Sequence, residues 1–460
     1  MIFYPQIRIN QLKTSHTISP NRSISLAFAA GFVLYGCTLT HRAAAASDQA
    51  YQNAVAEAKK AGLPVSTSEL ARPMPPPSEN AALIYTQMLS TLKDSPLSEQ
   101  DEILDTYCSE MSPSSADTAQ ATAALSRRAD LMALVHQAAA IPGCVFERDW
   151  SAKNPAAIML PEYAQVREAA RFLSSESQVM AHNGQGVAAV HNEALGFRLA
   201  KHAGSDGMAI GFQVEMAIDQ ITMRALQKIM ITSDGDGKVA QAVEEVIDSN
   251  WTAPLIAPTF RKETAFEIGM IEAFRSLGPS ALGDLGNGEF KPATDVLAKL
   301  PSSEWNDALN RSGVYLLSAL GKVIKAADLP FPTAFAREQA IEMAAANEDP
   351  TPRRLICQML LVKASAIVSK RAILLANARA TRAGAAVLSY KAAHGALPKT
   401  LAAAVTPAPI DPFDLKPLRY RQEGDGFVIY SAGPTLHYDG GTPDQPVDKD
   451  ESAFRYPAAT

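Results

Sequence analysis

Aromatic residues make up only 7% of this 460-residue chain and charged residues 20%, against 47% apolar residues. A core short of large rings and rich in alanine is built from helices, whose small contact residues let backbones approach closely. Basic and acidic residues are mixed throughout, with a formal net charge of −6. The absence of a basic stripe excludes a nucleic-acid backbone as the expected partner. Catalytic signatures are missing too. There is no H-E-x-x-H or E-x-x-H spacing for zinc, no G-x-S-x-G nucleophile elbow and no phosphate-cradling G-x-x-x-x-G-K-[ST]. Length alone allows about three average domains or one long repetitive one.

Acidic residues are absent before Asp48, whereas Arg8, Lys13 and Arg22 are basic. The apolar run from Ile24 to Gly36 that follows is shorter than the ~20 residues a spanning helix needs. A basic stretch, a short apolar run and small residues afterwards make an export signal. Two processing readings stand. Leu34-Tyr35-Gly36-Cys37 resembles a bacterial lipobox, which would lipidate Cys37, although Tyr35 replaces the small residue usual there. Ala44-Ala45-Ala46 is an A-x-A site that would leave Ser47 first. With Cys37 as lipid site, Cys108, Cys144 and Cys357 remain. A helical hairpin could bring Cys108 and Cys144 into a disulfide in an oxidising compartment; the alternative is two small buried hydrophobes. Cys357 sits on an apolar helix face and reads as core.

An amphipathic helix is expected from Ala50 to Ala61, ending at Gly62, and Ser66-Thr67-Ser68-Glu69 has the pattern of a capping box. The prolines at 73, 75, 76 and 77 make an extended connector. The segments AKKAGLPVSTSEL and PPPSENAALIY resemble an uncharacterised family of exported bacterial proteins that combine a helical body with a pseudopilin-like tail. That resemblance implies an architecture and carries no activity. One helix is expected from Thr118 to Ala140. Phe172–Ala181 and Val187–Lys201 around the Asn183-Gly184-Gln185-Gly186 turn resemble a tetratricopeptide hairpin. Ile210–Met230 and Val239–Ile247 extend the array, with no strict period.

Several groups invite a chemical reading. In the loop Ser233-Asp234-Gly235-Asp236-Gly237, Asp234 and Asp236 fit the third and fifth positions of an EF-hand. Thr232 and Val243 occupy the first and twelfth, and Glu244 falls one residue late, so a polar turn is the better reading. His182, His191 and His202 are too widely spaced along the helices to hold one ion. Ser90-Thr91-Leu92-Lys93 matches the S-x-x-K of penicillin-binding proteins, but Leu401 follows Lys399-Thr400 where Gly is required, and no S-D-N occurs. Glu263 and Glu267 share a helix face beside Arg261 and Lys262, which reads as a solvated, charge-balanced edge. If the body holds an active site, that helix and the His191–Glu193 turn are where it would lie.

Near the C-terminus a long helix is expected from Arg353 to Lys391, carrying Ile367, Leu374, Ala378, Thr381, Ala385 and Leu388 as one stripe. His394-Gly395 and Pro398 end it. β-type runs follow at Leu418–Arg421 and Phe427–Tyr430, with Asp425-Gly426 as the hairpin. Together with Tyr390-Lys391, Leu401, Asp411-Pro412-Phe413 and Tyr430-Ser431-Ala432-Gly433, this order resembles the globular domain of the major type II secretion pseudopilins. The resemblance implies a long helix packed on a small antiparallel sheet, closed by a polar loop that binds calcium. Here Thr435 stands at the first loop position, leaving Asp439 as the main candidate ligand, with Asp444 and Asp448. Arg353, Arg354, Lys363, Lys370, Arg371 and Arg379 occupy the place of the pseudopilin membrane segment and exclude a lipid-embedded helix there.

The expected protein is therefore mainly α. It has a signal and linker at 1–46, an irregular helical-hairpin, TPR-like body at 47–350, and a pseudopilin-like α+β module at 351–460. The expected role is an exported, lipid-anchored, non-enzymatic scaffold or protein-binding module of the cell envelope. It has no catalytic residues and no cofactor apart from calcium at Asp439, and its partner is an envelope protein. An envelope hydrolase and a secretion-system component are the alternatives.

Overall fold

The structure, a computed structural model, describes residues 29–109, 113–158, 160–279, 291–347, 352–436 and 453–457; the side chains of residues 29–44 and 346–347 are outside that description. The chain is mainly α-helical, with one small antiparallel sheet at its C-terminal end. Helix α1 (Ala29–Lys60) ends where Gly62 takes a left-handed φ of 72°. Its exposed Ala46 precedes Ser47, which accepts from Asn310 Nδ2 at 3.3 Å, and Tyr51, which lies on Gly313. A Cβ at 313 would collide with that ring, so glycine is what lets the two helices meet.

Ser66 Oγ accepts from Ser68 N and caps a 3-10 turn at Thr67–Leu70, and Glu69 Oε1 reaches back to Val65 N at 3.1 Å, one residue before the cap, so the two halves of the expected box form without closing on each other. Then come α2 (Ala82–Asp94), α3 (Ile103–Ser109), α4 (Ser115–Arg127), α5 (Ala129–Ala140) and α6 (Glu162–His182), which share one apolar core around Tyr85, Met88, Leu131 and Val166. The helix expected over 118–140 is two helices, because Arg128 leaves helical geometry at φ −105°, ψ 31°. The second hairpin helix is also divided, into α7 (Gly186–Glu193) and α8 (Leu195–Ala203), with Ala194 between them. The division places Gly196 directly on Thr222, where no Cβ would fit.

Helices α9 (Ala209–Thr232), α10 (Gly237–Asn250), α11 (Ala257–Leu277), α12 (Lys291–Leu297), α13 (Ser302–Ala326) and α14 (Phe331–Asn347) complete the body. The loop at 233–237 is the polar turn expected: Asp236 Oδ1 accepts from Lys238 N at 2.7 Å, capping α10, and Asp234 Oδ1 accepts from the Tyr456 hydroxyl at 3.2 Å.

The long C-terminal helix is interrupted. Helix α15 (Pro352–Leu360) packs on α13, the chain turns at Leu361–Lys363, and α16 (Ala364–His394) departs across α9, α10 and α14. Glu342 of α14 fixes the new start, accepting from Ser365 N at 2.9 Å and Ser365 Oγ at 2.8 Å. Gly395 at φ 72° closes α16, and the short α17 (Leu401–Ala404) follows. Strands β1 (Arg419–Glu423), β2 (Gly426–Tyr430) and β3 (Ala453–Tyr456) form an antiparallel sheet with β2 central, registered by Gln422↔Phe427 and Phe427↔Tyr456. The hairpin turns on Gly424-Asp425, one residue earlier than expected, with Gly424 at φ 58°. Gly384 leaves room on α16 for the Phe454 ring.

The module is not a separately cored appendage. Ala378, Val387 and Leu388 of α16 and Phe427, Ile429 and Phe454 of the sheet are buried in one cluster with Val243 and Val246 of α10 and Leu226 and Ile229 of α9. A polar seam accompanies it: Gln227 Nε2 donates to Asn377 Oδ1 at 3.0 Å and Thr381 Oγ1 at 2.7 Å, and Asn377 Nδ2 donates to Gln220 Oε1 at 2.6 Å. The boundary expected at 350/351 lies outside the described residues, and the core is continuous across it.

Candidate functional site

Buried acids are numerous in the body, and Glu263 among them, with the less buried Asp328 and Glu342, serves a helix end. The first turn of a helix carries amide groups without intrahelical partners and a partial positive charge, so a carboxylate from a neighbouring helix is stabilising there. Glu263 Oε1 accepts from Ala209 N at 2.6 Å, capping α9. Asp328 takes Ile256 N and Ala257 N, both at 2.9 Å, capping α11, and Glu342 does the same for α16. The solvated edge expected for Glu263 and Glu267 is therefore corrected. Both are buried, because α11 is packed against α13 and α9, and burial pushes Glu263 up to about 6. Glu267 is raised well beyond the carboxylate range by burial and by the neighbouring Glu263, and its Oε2 has no hydrogen-bond partner.

A second polar centre lies where α3, α6, α7 and α9 meet. Glu193 is fully buried and its carboxyl is raised by burial, against the opposing pull of the Ser177 hydroxyl and Lys228. Neither oxygen completes a hydrogen bond of ordinary geometry, since Ser177 Oγ is given to Leu173 O at 2.9 Å. Lys228 Nζ donates to the Cys108 carbonyl oxygen at 2.5 Å. A third centre holds Arg148 against Asp206 Oδ2 (3.2 Å) and Glu162 Oε2 (2.8 Å), with Phe146 and Tyr163 on its faces. This enclosed triad ties the connector to α6 through Glu162 and to the turn before α9 through Asp206.

The three thiols are free, so the Cys108–Cys144 disulfide is not formed. Two helices, α4 and α5, separate them instead of one hairpin arm. Cys108 faces Ser174 and Lys228, whereas Cys144 lies beside Ser205 and Asp206. Burial raises all three, Cys144 to about 12 and Cys357 to about 11, the opposite of the lowered value a nucleophilic thiolate needs.

The histidines do not converge. His202 is buried, with Nδ1 2.8 Å from the Tyr85 hydroxyl and Nε2 2.9 Å from Ile141 O, and burial lowers it to about 4. His191 is exposed on α7, and His182 ends α6. Ser90 and Lys93 are exposed on the last turns of α2. Asp439, Asp444 and Asp448 lie outside the described residues, as does the Cys37 side chain; the Cys37 backbone falls within α1. Among the described residues, no group of three or more His, Cys, Asp or Glu could hold a metal ion, and no helix is long and apolar enough to cross a membrane.

Among the described residues, two open grooves can be delineated. One, of about 480 Å³, runs between the start of α10 and the end of α16, where Asp236, Lys238, Glu244 and Ser389 line it. The other, of about 540 Å³, lies between α13 and α14. Its floor is made of small residues, Ala319, Ala326, Ala340 and Ala344, and its rim carries Lys322, Lys325 and Arg337. Tyr315 hydroxyl donates to Ile341 O at 3.0 Å and holds the two helices together at one end. Sequence reasoning missed this groove. Three cations spread over two helices look like ordinary solvated faces until the hairpin folds.

No protein-family model, no curated protein and no solved structure matches this chain.

Proposed function

We propose that this chain is an exported, lipid-anchored scaffold of the cell envelope that acts by holding a protein partner and not by catalysis. The observation that supports this most is the open groove between α13 and α14, a solvent-facing hollow with an apolar floor and a charged rim. That layout, apolar centre and polar border, is the anatomy of a protein-binding surface.

Export rests on the acid-free, basic N-terminal stretch and its short apolar run. Processing at Cys37 or after Ala46 would keep Ser47 and Tyr51, the residues through which α1 docks on α13. The C-terminal module is read as a pseudopilin-like fold used for architecture, a reading supported by α16 lying on the antiparallel sheet. The test is cross-linking in the envelope fraction of cells grown with radiolabelled palmitate. The expected result is a discrete cross-linked complex in that fraction, with label in the wild-type chain and none in Cys37→Ala. Recovery of the chain with no partner would contradict the scaffold role, and equal labelling of Cys37→Ala would contradict the anchor.

A further inference from the structure

The groove between α13 and α14 has a definite chemistry. Lys322 and Lys325 stand one turn apart on α13, and Arg337 faces them from α14; all three are exposed. Among the described residues no carboxylate pairs with any of them, and none lines the groove. This differs from Arg382, Arg148 and Arg371 elsewhere, each of which has an acidic partner. Unmatched cations around a hollow raise the local potential and draw an anion toward it.

The walls specify shape as well as charge. On α14 the residues Arg337, Ala340, Ile341 and Ala344 recur at three- and four-residue spacing, one stripe of a helix. Ala340 and Ala344 are exposed and Met343 beside them is 60% exposed, so among the described residues nothing packs over this part of the stripe. Ser318, Ala319 and Ala326 on α13 are equally small. Two antiparallel helices with small side chains at their border leave a channel into which a third helix can lower its own apolar ridge.

We infer that this groove docks an acidic amphipathic helix of a protein partner, its apolar face on the alanine floor and its Asp and Glu residues against Lys322, Lys325 and Arg337. This rests on the reading of the chain as a binding module and names the partner's chemistry. Recognition is of the helix-in-groove kind, with anchors at three- and four-residue spacing. The rim charges set the sign of the partner and the rate of encounter, and the floor sets the packing.

The test uses the full chain and a hydrocarbon-stapled helical peptide with a Leu/Ala stripe flanked by Glu, followed by fluorescence anisotropy. A peptide of the same stripe flanked by Lys is the control. The acidic peptide should bind, the basic one should not, and added salt should weaken binding. The triple variant Lys322→Glu, Lys325→Glu, Arg337→Glu should bind the acidic peptide at least about tenfold more weakly and take up the basic one. Ala344→Trp, which fills the floor and leaves the charges alone, should also lose the acidic peptide. Failure of the acidic peptide to bind, equal binding of both peptides, or binding that survives both variants would overturn the inference. A partner cross-linked in the envelope while the groove takes no acidic peptide would remove this inference and leave the scaffold role standing; no partner at all would remove the role itself.

Discussion

The two grooves are of similar size and opposite character. Between α10 and α16 the acids and amides are already engaged: Asp236 caps α10, Glu244 accepts from Ser389 Oγ at 2.8 Å and Gln241 Nε2 donates to Glu245 Oε1 at 3.0 Å, while a single cation, Lys238, stands beside carboxylates of the opposite sign. Nearby, Arg382 grips Asp248 through two hydrogen bonds of 2.6 and 2.7 Å. Gly237 lies so close to Ala392 that a side chain there would part the helices. That hollow is the edge of a joint. Between α13 and α14 the charges are idle and of one sign, above a floor of alanines. Volume does not separate a joint from a docking surface; the state of the polar groups does.

The joint should fail with the largest effect. Phe427 is fully buried, with its ring centroid 5.8 Å from Phe454, 5.9 Å from Tyr456 and 6.0 Å from Tyr420. Phe427→Ala should cost about 3–5 kcal/mol. Because its cluster includes α9 and α10, helix and sheet should melt together at a lower temperature when followed by far-UV circular dichroism. An early loss of the sheet with the helices unmoved would mean that the module has its own core and that the α10–α16 hollow is not the edge of a shared joint.

A smaller effect should distinguish α14 through pH. Glu338 is fully buried with neither oxygen hydrogen-bonded, and burial, then repulsion from Glu342, pushes it up to about 7. The native state therefore keeps a proton that the unfolded chain releases near pH ~4.3, and the stability this contributes is lost as pH rises through about 7. Glu338→Gln carries no such proton. Its stability relative to wild type should grow over that window and level off above it, as read from urea midpoints. A gap that stays flat with pH would show that Glu338 is solvated, and with it that α14 is held less firmly than its role as a groove wall requires.

The sequence made the helices of the middle body and the C-terminal α+β order legible, because apolar periodicity and the Gly395, Pro398 and Asp411-Pro412 signals are local. Breaks at Arg128, Ala194 and Leu361–Lys363 were not legible. They answer to tertiary demands: Thr222 pressing on Gly196, and Glu342 holding Ser365 from another helix. Strand β3 was missed because four residues, Ala453–Tyr456, hold too short an alternation to stand out before β2 is there to pair with them. The acids at 263 and 267 were misread because Arg261 and Lys262 made the segment look solvated, while the amide that Glu263 caps lies 54 residues away on α9. Lys322, Lys325 and Arg337 share no motif, so only the antiparallel hairpin gathers them.

A groove with idle charges that binds can be told apart in the cell from an engaged one that does not. The direct measurement places a photo-cross-linking amino acid at Ala340 in one full-length chain and at Ala393 in another, both exposed, and irradiates intact cells. One discrete protein adduct is expected from Ala340, abolished by Lys322→Glu with Lys325→Glu, and none from Ala393. An adduct from Ala393 with silence at Ala340, or an Ala340 adduct indifferent to the charge reversal, would contradict that expectation.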